Sequence, residues 1–541
     1  MTRPIALSGF MGAGKSTVGE RLARELGRPF VDLDDEIETA FAAPVPDIFA
    51  RLGEPAFRAM EARLLRQVVA TGAVVALGGG AVLDDASRAV LRAEAVWVHL
   101  EAPFDVLRRR VERSAGDRPR WADAAAAEAL LTARAPVYAE APFTVDASGA
   151  PASVVAAIRD VVGVPRARPD TPALPSRVVP VAVSDGPYDV HVGLGMEAEV
   201  ARVGREVGEG PIALLTDWNV GPLHADATAR LLAASGRPVE RVVLPAGESR
   251  KRIGPVVDVV QRLLDRGWQR RAPVVALGGG VLGDMAGLVA ALTLRGVPFV
   301  QLPTTLLAMV DSSVGGKVGV DHRDGKNLIG AFHQPARVVA DLGFLDTLPP
   351  AELRSGLAEV VKTALLDGES FLALLEGGAD ALLARDAELL TDVVLRCVTF
   401  KADVVAEDAR EAGRRRILNL GHTLGHGLEA ASGYRLRHGE AVAIGLVAAA
   451  HVAVEAVGAS PALPSRIEAL LRSLGLPTSA PGVPRERLLA AMSGDKKRVG
   501  DSIAWILPSE VGDPRIVPMP TRDLSDMLRL LEDRGILLRL E

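Results

Sequence analysis

The sequence predicts the α/β fold class, with two parallel-sheet domains flanked by helices and a third, mainly α-helical domain after them. Three observations lead to this prediction. Strand-like and helix-like patterns alternate through residues 1–160 and again from residue 178 to about residue 345. From about Pro349 onward the chain consists of long segments rich in Ala, Leu, Glu and Arg, with few strand candidates. Between the alternating regions, residues 163–187 are dense in proline, as linkers are.

These changes of pattern divide the 541 residues into four segments. We expect a first domain at residues 1–165, a linker at 166–177, a second α/β domain at 178–345 and a helical domain at 346–541. The candidate strands of the second domain are Ile212–Thr216, Val239–Leu244, Val274–Leu277 and Pro298–Leu302.

The composition is that of an ordinary globular protein, with 48% hydrophobic and 24% charged residues. A formal net charge of −6 argues against general binding to nucleic acids or membrane surfaces. Cys397 is the single cysteine, so a metal site would have to use His and carboxylate ligands. The most apolar stretch, Ala441–Val457, contains His451 and Glu455 and is judged too short for a membrane span. With no signal peptide expected, these features predict a cytoplasmic protein.

Residues 9–17 read GFMGAGKST and match the phosphate-binding pattern G-x-x-x-x-G-K-[ST]. The apolar run Ile5–Leu7 predicts the strand that precedes such a loop, and the spaced apolar residues after it predict the helix that follows. We expect Lys15 to neutralise the β- and γ-phosphates and the Ser16 hydroxyl to bind magnesium. The predicted ATP contacts are Gly12, Ala13, Gly14, Lys15, Ser16 and Thr17.

Several groups after this loop suit phosphoryl transfer to an anionic acceptor. Asp32 and Asp34 follow the second predicted strand, where they would reach magnesium or an acceptor hydroxyl, although a solvated turn would look the same. Arg58 and Arg134 are cations that suit an anionic substrate, and either alone could be a surface ion-pair partner. Gly78–Gly80 would form the floor of the pocket.

The segments GFMGAGKST, VDLDDEI, GEPAFR, LGGG, GDRPR and RAPVYAEA together resemble shikimate kinase over nearly the whole of residues 1–165. The resemblance implies a P-loop kinase in which Ser16 and Asp32 hold magnesium. It implies catalytic roles for Lys15, for Asp34, which would act on the attacking hydroxyl, and for Arg118, which would close over ATP as part of a lid. Shikimate would be bound by Asp34, Arg58, Gly79, Gly80 and Arg134. The lid departs from the family pattern at Arg120 and Trp121, where the family commonly has leucines.

The second domain contains glycine-rich segments of two kinds. GGGVLGD at Gly278–Asp284 fits G-x-G-x-x-G after a predicted strand, which is a weak dinucleotide signal that a capped structural turn would equally satisfy. Downstream, Asp311, Lys317, Lys326 and Asn327 lie in glycine-rich loops that suit a phosphorylated substrate.

In the helical domain, Glu359 and Lys362 lie three residues apart, and His422 and His426 lie four apart, so each pair shares a helix face. His438 follows in a His-Gly-Glu turn. One Glu and two His ligands with an open position describe catalytic zinc, whereas the absence of H-E-x-x-H makes a zincin protease a poor fit. The alternative is that these are core histidines without a ligand.

Over about residues 178–541 the chain resembles 3-dehydroquinate synthase, through PAGESRK, LGGGVLGDMAG, LRGVPFVQLPTTLLAMVDSSVGGKVGVD, GKNLIGAFHQP, GLAEVVKTALL, LNLGHTLGHGLE and RHGEAVAIG. The resemblance implies a Rossmann-like NAD-binding domain followed by a helical domain that binds zinc, or another divalent metal such as cobalt, through Glu359, His422 and His438. The residues implied to bind NAD are Asp217, Asn219, Glu248, Lys251, Gly279, Gly280, Asp284, Thr304, Thr305, Asp311, Lys317 and Lys326. Those implied to bind 3-deoxy-arabino-heptulosonate 7-phosphate are Lys317, Asn327, Lys362, Lys401, Arg415, Asn419 and His426, with Arg295 beside them. Catalytic roles fall to Arg295, Lys317, Lys362, Lys401, Arg415 and His426, and for His426 a structural role beside the metal ligands is the alternative.

The combined prediction is a bifunctional enzyme of the shikimate pathway. Its partners would be the small molecules ATP, shikimate and the heptulosonate phosphate, with no nucleic acid or membrane, and a homodimer is expected through the synthase part. The alternatives are a P-loop small-molecule kinase fused to another sugar-phosphate cyclase or to a polyol dehydrogenase, and a regulatory protein whose first domain only senses ATP. A sensor would not need the acceptor groups Asp34, Arg58 and Arg134.

Overall fold

Two separate parallel sheets carry the functional segments of the chain. The computed structural model describes residues 4–26, 28–41, 43–69, 72–113, 124–162, 174–323, 325–433, 435–480, 482–493, 498–499 and 502–537. These residues divide into two compact units. The first unit is Met1–Pro169 with Asp217–Ala227 and Val243–Ala246, and the second is Asp170–Thr216, Thr228–Val242 and Gly247–Glu541.

The first unit is built on a five-stranded parallel sheet with the strand order β2-β3-β1-β4-β5. Its elements are β1 (Ile5–Gly9), α1 (Lys15–Leu26), β2 (Phe30–Asp32), α2 (Leu33–Phe41), α3 (Val45–Val69), β3 (Val74–Ala76), α4 (Asp85–Glu94), β4 (Val96–Glu101), α5 (Phe104–Arg113), α6 (Ala124–Tyr138), β5 (Phe143–Asp146) and α7 (Pro151–Val161). The central strand β1 is completely buried, as its apolar sequence IALSG predicts. Because parallel strands end at the same edge, the segments that follow β1, β2 and β3 meet there.

The second unit begins with a seven-stranded sheet in the order β6-β7-β14-β11-β10-β8-β9. Its elements are β6 (Arg177–Val181), β7 (Tyr188–Gly193), α8 (Glu197–Glu206), β8 (Ile212–Asp217), α9 (Asp226–Ala233), β9 (Val239–Leu244), α10 (Ile253–Asp265), β10 (Val274–Gly278), α11 (Gly280–Leu292), β11 (Phe299–Pro303), β12 (Lys317–His322), β13 (Gly325–Phe332) and β14 (Arg337–Asp341). Strands β7, β14, β11, β10 and β8 run parallel, and β6 joins β7 in the antiparallel direction. Strands β12 and β13 form a separate antiparallel hairpin.

The remainder of the second unit is mainly helical, as predicted. Its elements are α12 (Pro350–Asp367), α13 (Glu369–Leu383), α14 (Ala387–Glu407), α15 (His422–Ala431), α16 (His438–Val457), α17 (Leu463–Ser473), α18 (Arg485–Ser493), β15 (Arg498–Val499), β16 (Ser502–Glu510), β17 (Asp513–Pro520) and α19 (Leu524–Asp533). Buried side chains of these helices and of β6, β7 and β14 form one continuous hydrophobic core. The antiparallel sheet β15-β16-β17 was not among the expected elements, because β15 is only two residues long and β17, DPRIVPMP, is rich in proline.

Helix α16 corrects one expectation about the most apolar stretch. Its 20 residues, His438–Val457, are long and apolar enough to cross a membrane by length and composition, so the stretch is not too short. However, 67% of its most apolar window is buried inside the protein. Such burial is typical of a helix at the centre of a core.

Glycines bring α15 and α16 into close contact. A Cβ atom added to Gly445 on α16 would lie 1.9 Å from the carbonyl oxygen of Gly421, the residue before α15. Gly421 itself has a φ of +78°, which favours glycine. Because His422 follows immediately, any displacement here would also move that side chain.

We therefore expect Gly445→Ala to destabilise the second unit by about 2 kcal/mol, the usual cost of overpacking a well-packed interior. Urea-induced unfolding monitored by circular dichroism measures this change. The matched control is Gly377→Ala on α13, where an added Cβ meets nothing within 4 Å and should leave stability equal or slightly higher. Equal stabilities for wild type and Gly445→Ala would contradict the close-packing argument.

Candidate active sites

The glycine-rich loop between β1 and α1 has the backbone shape of a phosphate-binding loop. Gly12 and Gly14 adopt φ values of +84° and +86°, which side-chain-bearing residues rarely adopt. Lys15 is the first residue of α1, and its Nζ donates a hydrogen bond to the carbonyl oxygen of Gly9 at 3.0 Å. The loop therefore places an ammonium group and a helix N-terminus together, as phosphate binding requires.

The two predicted magnesium ligands meet at the carboxyl edge of the first sheet. The Ser16 hydroxyl donates a hydrogen bond to Asp32 Oδ2 at 2.7 Å, and Asp32 is the last residue of β2. A hydroxyl and a carboxylate are oxygen donors of the kind that Mg²⁺ takes beside nucleotide phosphates. The donor chemistry of Ser16 and Asp32 therefore fits a magnesium ion.

The predicted acceptor-site residues gather around the turn Gly78–Gly80, which follows β3. A Cβ atom added to its first glycine would lie 2.4 Å from Asp34 Oδ1, and one added to its third glycine would lie 2.4 Å from Arg58 Nη2. Arg134 reaches the same turn and donates from Nη1 to the carbonyl oxygen of the second glycine at 2.9 Å. A carboxylate and two guanidinium groups thus converge on a turn that has no side chains of its own.

Two carboxyl groups in this pocket have raised pKa values. Burial and the neighbouring Asp32 carboxylate raise the pKa of Asp34. Glu61, which the sequence analysis missed, is 1% exposed and accepts a hydrogen bond from Arg58 Nη1 at 2.6 Å. Burial raises the pKa of Glu61 too, although Arg58 opposes that shift. Arg58 and Glu61 are three residues apart on α3, so their spacing in the sequence was a signal for this pair.

A buried cluster behind the loop was also missed. His99 on β4 is 6% exposed, and its Nδ1 lies 3.3 Å from the hydroxyl of Ser8 on β1. That hydroxyl accepts a hydrogen bond from Trp97 Nε1 at 2.7 Å, and the His99 ring stacks on Tyr138 of α6 with centroids 4.5 Å apart. Burial and the Lys15 ammonium lower the pKa of His99 to about 4, so the ring is neutral near pH 7. The cluster therefore connects β1, the strand that precedes the phosphate-binding loop, to α6, the helix that carries Arg134.

The predicted lid falls outside the described residues. Arg118, Arg120 and Trp121 belong to residues 114–123, for which the structure describes no placement. The role of Arg118 therefore stays a prediction.

In the second unit, the three predicted metal ligands come together from α12, α15 and α16. The Nε2 atoms of His422 and His438 lie 3.4 Å and 2.9 Å from Glu359 Oε1. His422 Nδ1 lies 3.1 Å from the carbonyl oxygen of Leu420, an arrangement that keeps the proton on Nδ1 and leaves Nε2 available to a metal. All three residues offer a ligand atom within 4.8 Å of the others. Two imidazole nitrogens and one carboxylate oxygen are the donor set of a catalytic zinc site.

The electrostatics of this cluster favour a cation. Burial raises the pKa of Glu359, but Lys362, whose Nζ lies 2.5 Å from Glu359 Oε2, and His422 lower it well below its usual range. Burial alone would lower the pKa of His438, but its hydrogen bonds with Glu359 and Glu429 raise it to about 10. The carboxylates thus stabilise positive charge at the position where a metal ion would lie.

Next to the predicted metal ligands, two lysines that are predicted to bind substrate share one carboxylate. Lys362 Nζ lies 3.4 Å from Asp311 Oδ2, and Lys401 forms an ion pair with Asp311 Oδ1. Lys401 also donates to the main-chain carbonyl oxygen of Asp311 at 2.7 Å. Burial raises the pKa of Asp311, but the two ammonium groups outweigh it and lower that pKa well below its usual range. Asp311, predicted to bind NAD, therefore lies among the residues predicted to bind substrate.

A second group of predicted substrate residues surrounds Glu411, a residue that the sequence analysis missed. Glu411 pairs with Lys317 and accepts a hydrogen bond from Asn419 Nδ2 at 2.9 Å. Arg415 is 2% exposed and donates from Nη2 to the carbonyl oxygen of Gly315 at 2.9 Å. Lys317 is exposed and Arg415 is buried, and cations held in place by a carboxylate and a carbonyl oxygen are suited to receive an anionic ligand.

The glycine turn between β10 and α11 has the features of a nucleotide site. A Cβ atom added to Gly279 would lie 3.0 Å from Thr305 Cγ2, and one added to Gly280 would lie 2.8 Å from Ser312 Oγ. Among the described residues, the buried hydroxyls of Thr304 and Ser312 have no hydrogen-bond partner. Because buried hydroxyls normally find a partner, these two fit a site that receives a polar ligand. The turn and its hydroxyls therefore fit a dinucleotide.

The remaining predicted NAD residues are joined by ion pairs. Lys251 lies 2.6 Å from Asp284 Oδ2 and donates to Asn327 Oδ1 at 2.6 Å. Lys326 lies 3.1 Å from Glu248 Oε1. Asn327 lies within β13 of the hairpin and has a φ of +52°, a conformation that few residues adopt.

Some predicted residues are not brought into these clusters. Arg295 is exposed at a φ of +66°, and among the described residues it makes no ion pair with a carboxylate. Asp217 ends β8, which pairs with β10, and its side chain accepts hydrogen bonds from the backbone of Asn219 and Val220. His426 does lie beside the predicted metal ligands, with its ring centroid 5.2 Å from that of His422.

Three family models match the chain. The shikimate kinase model matches residues 11–162, and the N-terminal and C-terminal models of 3-dehydroquinate synthase match residues 241–355 and 356–498. The 3-dehydroquinate synthase of Acidithiobacillus ferrooxidans is 45% identical over 350 residues, which are 64% of this chain and 96% of the relative. The chain belongs to the 3-dehydroquinate synthase family and carries a shikimate kinase domain in front of it.

Solved structures support the same assignment for the synthase part. A 2-epi-5-epi-valiolone synthase from Streptomyces hygroscopicus, with NAD⁺ and Zn²⁺ bound, is 32% identical and covers 64% of this chain and 97% of its own, with a TM-score of 0.60. A 2-deoxy-scyllo-inosose synthase complexed with carbaglucose-6-phosphate, NAD⁺ and Co²⁺ is 25% identical and covers 66% of this chain and 100% of its own, also with a TM-score of 0.60. The predicted fold class and the predicted pairing of a kinase with a synthase are confirmed.

Proposed function

We propose that this shikimate kinase–3-dehydroquinate synthase chain carries out both reactions of its two families. The kinase would phosphorylate shikimate with ATP–Mg, and the synthase would convert 3-deoxy-arabino-heptulosonate 7-phosphate to 3-dehydroquinate and phosphate with NAD and zinc. The observation that carries the proposal is that Glu359, His422 and His438 converge beside buried cations. The relatives that match this half of the chain are 3-dehydroquinate synthases. The acceptor groups around Gly78–Gly80 carry the kinase half.

In the kinase, Asp34 is the group that would take the proton of the attacking hydroxyl. Its raised pKa brings the carboxyl nearer to the range in which a base works, while its position beside the glycine turn leaves it facing the pocket. Arg58 and Arg134 would hold the shikimate carboxylate, with Glu61 keeping Arg58 in place. Magnesium bound by Ser16 and Asp32 would supply charge neutralisation at the phosphates, and Lys15 would add to it.

In the synthase, zinc would supply Lewis-acid polarisation of a hydroxyl, and NAD would supply a hydride acceptor and donor. The residues of the chain provide what these groups need. Glu359, His422 and His438 would hold the metal, and Gly279, Gly280 and Lys251 belong to the segments that would hold NAD. Lys401 and Arg415, both buried, would bind the anionic groups of the substrate and stabilise negative charge as it develops.

His426 is proposed to hold or move a proton next to the metal ligands. It lies one helical turn from His422, with ring centroids 5.2 Å and 6.3 Å from those of His422 and His438. An imidazole ring can both accept and donate a proton through its nitrogens.

A polyol dehydrogenase is the alternative for the second half. It would act on an uncharged alcohol and would not need the buried cations Lys362, Lys401 and Arg415, which are each at most 8% exposed. Lys362 and Lys401 share the Asp311 carboxylate, and Arg415 donates to main-chain carbonyl oxygens, so the cluster is suited to an additional anionic partner such as a phosphorylated substrate. We further propose that the synthase part forms a homodimer and that the enzyme acts in the cytoplasm.

A paired assay of the purified full chain tests the proposal. We expect phosphorylation of shikimate with ATP and magnesium, and release of inorganic phosphate from the heptulosonate phosphate with NAD and zinc. Net accumulation of NADH with a simple polyol, and no phosphate release, would favour the dehydrogenase instead. Failure of shikimate to be phosphorylated while ATP is bound would contradict the kinase half.

A further inference from the structure

Glu429 is a buried carboxylate that contacts one residue of the proposed metal site and one residue of the proposed NAD site. It lies on α15, seven residues after His422, and is 3% exposed. Its Oε1 atom lies 3.4 Å from His438 Nδ1 and 2.8 Å from Lys326 Nζ. Among the described residues, its second oxygen, Oε2, is buried without a hydrogen-bond partner. A buried carboxylate with an unsatisfied oxygen lowers stability, which argues that Glu429 serves a function.

One contact of Glu429 bears on the metal site. An imidazole has two nitrogens, and His438 turns Nε2 towards Glu359 Oε1 at 2.9 Å. When His438 Nδ1–H donates a hydrogen bond to Glu429, Nε2 of the neutral ring carries the free lone pair. That lone pair points to the place where Glu359 and His422 also offer ligand atoms. Carboxylates in this position fix the orientation of a ligating histidine and raise its basicity.

The other contact bears on the nucleotide site. Lys326 lies between two carboxylates, with Glu429 Oε1 at 2.8 Å and Glu248 Oε1 at 3.1 Å. Burial lowers the pKa of Lys326, but these two carboxylates raise it above its usual value, so the side chain stays charged and held in place. Both Lys326 and Glu248 belong to the segments proposed to hold NAD.

We propose that Glu429 is a positioning residue that links the two sites: it orients His438 for the metal and holds Lys326 for NAD. The same oxygen makes both contacts, so loss of the carboxylate weakens both at once. This inference rests on the proposed function of the synthase half.

Binding measurements on the full chain test it without relying on turnover. For Glu429→Ala we expect zinc affinity, measured by competition with a chromophoric chelator, to fall by about 10- to 100-fold, the usual effect of losing such a partner. NAD affinity, measured by equilibrium dialysis, should fall in the same variant. Glu429→Gln keeps an acceptor oxygen for His438 but not the charge that holds Lys326, so it should recover zinc affinity more than NAD affinity.

The chain offers a matched control in Glu468→Ala. Glu468 lies on α17, and its Oε1 is 3.4 Å from His451 Nε2, the same separation as the Glu429–His438 contact but away from the proposed ligands. This variant should bind zinc and NAD as the wild type does. Circular dichroism and the Glu429→Gln variant separate a specific effect from misfolding.

Unchanged zinc and NAD affinities in both Glu429 variants would overturn the inference while leaving the proposed function intact. Loss of zinc affinity with unchanged NAD affinity in Glu429→Ala would overturn the link between the sites. A wild-type chain that binds neither zinc nor NAD would instead contradict the proposed function, and the inference with it.

Discussion

Replacing His422 with alanine is expected to remove bound zinc and synthase activity while leaving shikimate phosphorylation unchanged. His422 supplies one of three ligand atoms that lie within 4.8 Å of one another, so the substitution leaves a two-ligand site. A missing ligand should weaken metal binding by more than the about 10- to 100-fold attributed to groups that only orient a ligand. Metal content after dialysis, together with the two separate activity assays, measures the result.

The control for this prediction is His451→Ala. His451 lies on α16, the helix that begins with His438, and pairs with Glu468 rather than with the predicted ligands. It should keep its zinc and its synthase activity. Wild-type zinc content in His422→Ala would show that His422 is not a ligand, and loss of kinase activity in that variant would contradict two independent active sites.

The contiguous motifs could be recognised from the sequence because their chemistry depends on backbone shape and short spacing. A phosphate-binding loop needs glycines at fixed separations, and Gly12 and Gly14 do adopt the positive φ values that such a loop demands. His422 and His426 could be placed on one face because a helix repeats after about four residues. In both cases the distance along the chain determines the distance in space.

The missed residues depend on contacts between segments that are far apart in the sequence. Glu429 is an ordinary glutamate in sequence, and its contacts with Lys326 and His438 exist only once the hairpin and α16 are packed beside α15. His99 likewise meets Ser8 through strand pairing across 91 residues. Glu61 is different, since its spacing from Arg58 was visible, but helical pairs of opposite charge are too common to indicate a site.

The backbone conformation and the exposure of Arg295 could not be predicted from the sequence. The motif around it suggested a role in substrate binding, yet the described residues show it exposed, with Leu294 and Arg295 both at positive φ. Such a conformation depends on the packing around the end of α11 and costs about 1–3 kcal/mol at each residue. Local propensity would not have predicted it, and its role in substrate binding stays a prediction.

Replacing Lys15 with alanine is expected to lower kcat for shikimate phosphorylation by about 1000-fold, the size of effect seen when a preorganised group that stabilises transition-state charge is removed. Lys15 is the first residue of α1, and its Nζ donates a hydrogen bond to the carbonyl oxygen of Gly9. Its ammonium group therefore lies where the loop and the helix N-terminus are suited to bind phosphates. Phosphate release by the synthase should be unchanged, because its proposed metal-binding and substrate-binding residues lie in the second unit. Arg21→Ala on the same helix is the control: its side chain is 48% exposed and pairs with Glu25, so kinase activity should be retained. Full kinase activity in Lys15→Ala would contradict the phosphate-binding role of the loop, and loss of both activities would contradict the separation of the two catalytic sites.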